Sequence, residues 1–280
     1  MLLVSISGNR AMSSELCVNI YAGLGNRMRV LDSAISLSRK NGSTLNVIWN
    51  SEKKFNCRFE ELFLLPEIVN SIEYRKLQTI PGKLHRAMAW LDGRRFDLRL
   101  SHKDIRRLRY QNTEIEALTR NRKVYISTDS DFMQRSPKFR DFSVVEPLAE
   151  IIRGYTDRFE RTIGVHIRRT DNKKAKKHSP TSLFIANMEQ EIAASDDTTF
   201  FLATDSPEVE DELRGIFGER IITHNKRSRD RNDPDAIKDA LVDLYCLAGC
   251  RRIYGSFWSS FTETAAAIND VELNIVKAAQ

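Results

Sequence analysis

Two adjacent arginines at the end of an apolar run are the most chemically pointed feature of the sequence. Gly164-Val165-His166-Ile167-Arg168-Arg169-Thr170-Asp171 passes from a strand-like stretch straight into polar residues. On a strand, His166 and Arg168 share one face and Arg169 points to the other. Past the strand end the backbone turns, so both arginines can reach one site. A guanidinium fork suits bidentate phosphate binding and stays charged at any working pH. Such cations would neutralise a diphosphate leaving group as its bond breaks. The plainer alternative is an Arg–Asp pair at a strand end. A buried His-x-Arg-Arg is costly, however, unless something anionic compensates it.

Three more segments have the same character. Gly23-Leu24-Gly25-Asn26-Arg27 follows a strand and opens a helix. It offers close backbone approach and free N–H groups to an anion, or it is simply a tight turn. The third glycine of a dinucleotide fingerprint is replaced by Met28, and no G-K-[ST] is present. Ala203-Thr204-Asp205-Ser206 ends another strand. Asp205 there either meets a nucleoside or, like Ser206, caps the helix opened by Pro207. Asp243 sits on a helical pattern, and Gly255-Ser256-Phe257-Trp258-Ser259-Ser260 joins a strand to a helix. Its hydroxyl and N–H groups suit phosphate, while Ser260-Phe261-Thr262-Glu263 also reads as a capping box. Lys173-Lys174-Ala175-Lys176-Lys177 reads as a solvated loop. Asp129-Ser130-Asp131 and Asp233-Pro234-Asp235 fit a D-x-D pattern that is too short to indicate a metal.

The elements that position these residues alternate. Strand signals fall at residues 16–22, 45–49, 71–77, 123–128, 162–167, 198–204, 220–224, 252–255 and 271–276. Helical patterns lie between them, and the block 83–120 reads as helices throughout. Alternating strands and helices mean mostly parallel sheets with helices on both faces, whose ligands sit at strand carboxyl ends. The reading is an α/β chain of two Rossmann-like domains, residues 15–145 and 146–280, parted within 136–147, with sheets facing across a cleft.

The 280 residues are 41% hydrophobic and 29% charged, which excludes disorder, and no apolar run approaches membrane-spanning length. Residues 1–10 are interrupted by Ser5, Ser7, Gly8 and Asn9 and lack a basic start, so no secretory leader is expected. Cys17, Cys57, Cys246 and Cys250 form no C-x-x-C pair, which suits a reducing, cytoplasmic compartment. Cys246 and Cys250 share a helix row with Asp239 and Asp243, a geometry that cannot surround a metal. Of the net charge of +6, residues 75–109 carry +8 and the remainder −2. A confined basic block implies either a local anionic partner or a solvated helical surface. Trp90, Phe96 and Leu100 interleave with the cations, which suits a membrane-facing patch and equally a helix packed on a core; no nucleic-acid partner is expected.

The ordered set resembles the fucosyltransferase superfamily: protein O-fucosyltransferases, α1,6-fucosyltransferases and rhizobial nodulation fucosyltransferases. His166-Ile167-Arg168-Arg169-Thr170-Asp171 is similar to the α1,6 motif H-x-R-R-T-D. The Gly23–Arg27 loop, Ala203-Thr204-Asp205, and Asp243-Leu244-Tyr245 through Ser259 match in order. The resemblance implies a GT-B fold and inverting, metal-independent transfer from GDP-fucose to a glycan or glycolipid hydroxyl, with no other cofactor. Arg168 would hold the β-phosphate, and His166, Arg169 and Asp171 would shape the donor site. Asp205 and Asp243 would bind the GDP moiety and Ser259 its phosphates. Asn26, with Gly25 and Arg27, would approach from the first domain. The sequence departs from the α1,6 pattern at Asn172, where that family has Lys, and at Lys176, where it has a Glu that could act as base. His178 is the nearest replacement base. The missing Glu also admits an inactive sugar-nucleotide or glycan-binding protein.

Overall fold

The computed structural model describes residues 14–80, 82–111, 114–133, 138–170 and 173–278. Residues 1–10, Ser136 at the expected boundary, Asp171 and Asn172 lie outside them.

Apolar runs without strict alternation suit strands covered on both faces. Five strands, β1 (Glu15–Ile20), β2 (Thr44–Ser51), β3 (Val69–Lys76), β4 (Leu98–Ser101) and β5 (Lys123–Thr128), form one sheet, with the more polar β3 and β4 at its edges. Its order is β3-β2-β1-β5-β4, and every pairing is parallel. The second sheet holds β6 (Thr162–Ile167), β7 (Thr199–Thr204), β8 (Ile221–Ile222), β9 (Arg252–Ser256) and β10 (Glu272–Val276). It too is wholly parallel, in the order β10-β9-β6-β7-β8. All six residues of β6 are buried.

Helices join the strands. In chain order they are α1 (Leu24–Asn41), α2 (Gly82–Asp92), α3 (His102–Tyr110), α4 (Ile115–Thr119), α5 (Glu146–Thr156) and α6 (Lys173–His178), followed by α7 (Thr181–Ala194), α8 (Pro207–Phe217), α9 (Pro234–Ala248) and α10 (Ser260–Ile268). In each sheet the direction of strand addition reverses beside the first strand, between β1 and β5 and between β6 and β9. These two switch points are where such sheets leave a crevice at their carboxyl edge.

Three sequence expectations need correction. The block 83–120 is not all helical: Leu98-Arg99-Leu100-Ser101 is edge strand β4, paired with β5. Its alternation buries Leu100 and exposes Arg99, but four residues inside a cation-rich block give little local signal. The lysine run expected as a loop is helix α6. The capping box expected at Ser260–Glu263 is not formed. Ser259 is the N-cap of α10 and makes no capping side-chain bond, while Glu263 pairs with Arg29 at 2.9 Å.

The two sheets are locked by α1 against α10. One continuous core takes Met28 and Leu31 from α1, Leu241 and Leu244 from α9, and Ala265 from α10. At Gly25 the helices approach so closely that a Cβ would lie 3.0 Å from Thr264 Oγ1 and 3.1 Å from the Ser260 carbonyl oxygen. Gly25 therefore serves packing between the halves.

A second device holds the loop after β8. Asp239, buried on α9, accepts from the Arg227 backbone N–H at 2.7 Å and from its guanidinium at 2.7 and 3.0 Å. His224 Nε2 lies 3.2 Å away. Burial opposes ionisation of Asp239, but the bonds from His224 and Arg227 outweigh it and hold its pKa at about 2. A carboxylate with a lowered native pKa stabilises the fold above its unfolded pKa and loses that contribution as pH falls. Asp239→Asn is therefore expected to cost about 2 kcal/mol at neutral pH. The gap from the parent should narrow as pH drops from about 4 towards 2, which urea unfolding at a series of pH values would measure. A gap independent of pH would contradict this account.

Candidate functional site

The carboxyl ends of both sheets meet where α1 and α10 begin, and a hollow opens on either side of that contact. The first lies at the ends of β6 and β7 and is lined by His166, Arg168, Asp205, Lys226, Arg231 and Asp243. Three of these cations come from two separate segments, the end of β6 and the loop after β8. The strand-end turn is held by hydrogen bonds. Asp205 accepts from the N–H groups of Arg169 (2.6 Å) and Thr170 (3.2 Å) and from the Thr170 hydroxyl (2.6 Å). Burial would raise the Asp205 pKa, but these donors keep it below the usual carboxylate value. Ser256 joins β9 to β6, donating to the His166 carbonyl at 3.2 Å and accepting from the Arg168 N–H at 3.0 Å.

The arginine pair divides its work. Arg168 lines the hollow. The Arg169 guanidinium instead donates to the carbonyls of Arg168 (3.0 Å) and Ser179 (2.9 Å) and to the Thr181 hydroxyl (3.0 Å). It binds the turn to α7. Ser179 is itself buried, donating to the Val276 carbonyl and accepting from the Phe257 N–H at 2.8 Å.

His166 has Nδ1 2.6 Å from the Thr262 hydroxyl and its ring 4.9 Å from that of Phe261. Burial, and next the Arg168 charge, pushes its pKa down to about 3. It is neutral at any working pH, so it offers a hydrogen bond and not a charge. Asp243 is buried on α9, 3.1 Å from Lys226 Nζ. Burial raises its pKa and Lys226 opposes that. Lys226 Nζ and Asp243 Oδ1 have no hydrogen-bond partner. Two buried polar atoms left open in one hollow are a place for a polar ligand. Gly23 lets Arg231 close over the start of α1, since a Cβ there would lie 3.1 Å from its guanidinium.

The second hollow opens at the ends of β4 and β5, lined by Asn26, Arg29, His102, Asp129, Trp258 and Glu263. Asn26 is thus on this side, where its Oδ1 accepts from Arg29 at 2.9 Å. Ser259 is buried at the junction as the N-cap of α10.

The structure brings His166, Arg168, Asp205 and Asp243 together and sets Asn26 and Ser259 beside them. It does not bring Arg27 or His178 into either hollow. Arg27 is fully buried beneath the Phe55 ring, 3.9 Å from its centre, donating to the Ala22 carbonyl at 2.6 Å. Glu52 pairs with it at 3.4 Å. The His178 ring packs edge-on against Phe257, with centres 5.2 Å apart. Sequence reading missed Lys226, Arg229 and Arg231. The signal was the cation density of Lys226-Arg227-Ser228-Arg229-Asp230-Arg231 between two elements. His102 was missed because it was read as part of the basic block. Among the described residues, no group of three or more His, Cys, Asp or Glu side chains is arranged to hold a metal ion. All four cysteines are free and buried, and burial raises their pKa values.

No family model and no curated protein matches the chain. Solved structures do. The α-1,6-fucosyltransferase NodZ soaked with GDP-fucose is 20% identical with a TM-score of 0.60, over 91% of this chain and 93% of that one. Fucosyltransferase NodZ from Bradyrhizobium, in selenomethionine form, is 20% identical with a TM-score of 0.62, over 90% and 91%. A variant of Arabidopsis thaliana FUT1 in complex with GDP is 13% identical with a TM-score of 0.58, over 93% and 70%. The likeness is one of architecture, and the chain has the two-sheet α/β, GT-B fold of these fucosyltransferases.

Proposed function

We propose that this protein is a glycosyltransferase that moves fucose from GDP-fucose to a hydroxyl of a glycan or glycolipid, with inversion and without a metal. The observation that carries the reading is the convergence of Arg168, Lys226, Arg229 and Arg231 on one hollow at the switch point of the second sheet. GDP-fucose was soaked into a NodZ of the same fold. Residues 146–280 are the nucleotide-sugar domain in this reading and residues 15–145 the acceptor side.

Each role follows from the chemistry of the side chain that fills it. Arg168 and the basic loop meet the diphosphate, so the charge that builds on departing GDP is met by side chains. The N–H groups at the start of α1 and α10 add to that field, because neither N-cap provides a capping side-chain bond. Asp243 Oδ1, open and buried, is placed to accept from the N–H edge of a guanine. His166, neutral, supplies a single hydrogen bond. Arg169 and Asp205 act by holding the turn that aims Arg168.

The basic block gives a second contact. The described apolar side chains of α2 include exposed Leu84, Trp90 and Leu91, and no residue of α2 is buried among those described. Arg94 stacks its guanidinium 5.3 Å from the Trp90 ring centre. Arg95, Arg99 and Arg106 nearby are exposed. An apolar strip edged with arginine fits the anionic inner face of a membrane, which would hold a cytoplasmic enzyme near a lipid-linked acceptor. No helix among the described residues is long and apolar enough to cross a membrane.

Two measurements test this. GDP or GDP-fucose at 100 times its dissociation constant should stabilise the fold by about 2.7 kcal/mol in thermal melts, undiminished by EDTA. Arg168→Ala should lower GDP release from GDP-fucose by about 100- to 1000-fold. Absence of any response to guanine nucleotides would sink the donor assignment. Separately, the protein should float with phosphatidylglycerol-containing vesicles and not with pure phosphatidylcholine. Trp90→Ala with Leu91→Ala should weaken flotation, and equal binding to both vesicles would remove the membrane contact.

A further inference from the structure

We propose that His102, held by Asp129, is the base that takes the proton from the attacking hydroxyl. The inference rests on the donor assignment above and adds the group which that assignment lacks. Inverting transfer makes a bond from the acceptor oxygen to the anomeric carbon. The bond to the β-phosphate oxygen breaks, and its electron pair leaves on GDP. The acceptor's proton must go to a base on the side opposite the leaving group.

The fold builds such a pair. β4 and β5 are parallel neighbours with Ser101 opposite Ser127, so the residues that follow each strand emerge side by side at the carboxyl edge. They are His102, the first residue of α3, and Asp129, which follows Thr128. His102 Nδ1 lies 2.7 Å from Asp129 Oδ1 and 3.3 Å from the Thr128 hydroxyl. Both side chains are about one-third exposed, at 33% and 30%. They line the hollow that shares its wall with the donor hollow: Asn26 and Ser260 face one, Leu24 and Phe261 the other. A carboxylate at Nδ1 favours the tautomer protonated there and leaves Nε2 as the acceptor. The charged groups lining the same hollow are Arg29 on α1, Arg106 on α3 and Glu263 on α10. Asp131 is excluded from the pair, because Arg109 holds it at 3.0 Å.

Trp258 makes the second observation. It lines the same hollow 64% exposed, with φ of 60°. A bulky residue in the left-handed region is strained, and such strain collects at ligand sites. Its open ring gives the C–H face of a sugar a surface beside His102.

The test uses water as the acceptor, so that no glycan need be known. GDP release from GDP-fucose is followed across pH, together with the thermal shift caused by GDP. His102→Gln is expected to lower release about 100-fold or more and to abolish the acidic limb of the rate profile, with the GDP shift unchanged. Asp129→Asn should also lower release with the GDP shift unchanged, because it removes the carboxylate that orients the ring, and Asp129→Glu should restore part of the rate. Release by His102→Gln within threefold of the parent, or release by Asp129→Asn equal to that of the parent, would overturn the proposal. A parent chain that neither binds nor cleaves GDP-fucose would overturn the donor assignment, and this inference with it.

Discussion

The contact between α1 and α10 at Gly25 is the constraint on which the rest of the site depends. Two helices from different sheets start so close together that a Cβ at Gly25 would lie 3.0 to 3.1 Å from the first turns of α10. That approach puts the carboxyl edges of both sheets, and both switch points, around one place. It also sets two positive helix ends next to each other. Such ends repel one another and attract anions. The first turn of α1 contains no acidic residue, and the one in α10, Glu263, is paired with Arg29. The field at the junction is therefore left for a ligand to satisfy. The cations of the first hollow add to the same field.

A site of this kind works against the stability of its own fold. Asp243 is buried, Lys226 is largely so, and each keeps a buried polar atom without a hydrogen bond. Burying a charged pair costs more than packed apolar residues of the same volume, and each open polar atom adds to that cost. The chain offsets this around the hollow. Asp239 holds the loop carrying Lys226, Asp205 holds the turn carrying Arg168, and Ser256 ties β9 to β6. The under-satisfied pair is thus backed by residues whose hydrogen bonds hold the loop and the turn around it. Open buried polar atoms also occur elsewhere among the described residues, at Arg27, Asn41, Asn50 and Arg252, so what marks this hollow is two of them set together among a cluster of cations.

Much of the fold was legible because its signals are local. The run 162–167 shows itself as a strand, Pro207 opens α8, and Lys123–Thr128 is a strand in sequence and in space. What could not be read depends on contacts far apart in the chain. Leu98–Ser101 is a strand only because β5 lies beside it. Arg27 follows a glycine loop as a phosphate ligand would, yet Phe55 and Glu52 from the next strand and loop enclose it. The motif assigned Arg168 to the β-phosphate and Arg169 to shaping the donor site, and only the positions of Ser179 and Thr181 decide that Arg169 serves the turn.

The same reasoning explains why the two walls of the junction differ in chemistry. The wall from the second sheet is rich in cations and sits where a diphosphate would need neutralising from bond to leaving group. The second hollow presents a histidine and a carboxylate from the first sheet and an exposed indole from the loop after β9, with Arg29 and Arg106 beside them. In the proposed transfer this asymmetry has a use: one side would stabilise negative charge as it departs, and the other would accept a proton without holding the phosphate. If both walls were equally basic, the nucleotide would have two places to bind, and the acceptor hydroxyl would meet a field that opposes loss of charge from the donor. Separating these tasks onto two sheets, joined at one glycine contact, lets each wall keep the charge its step needs.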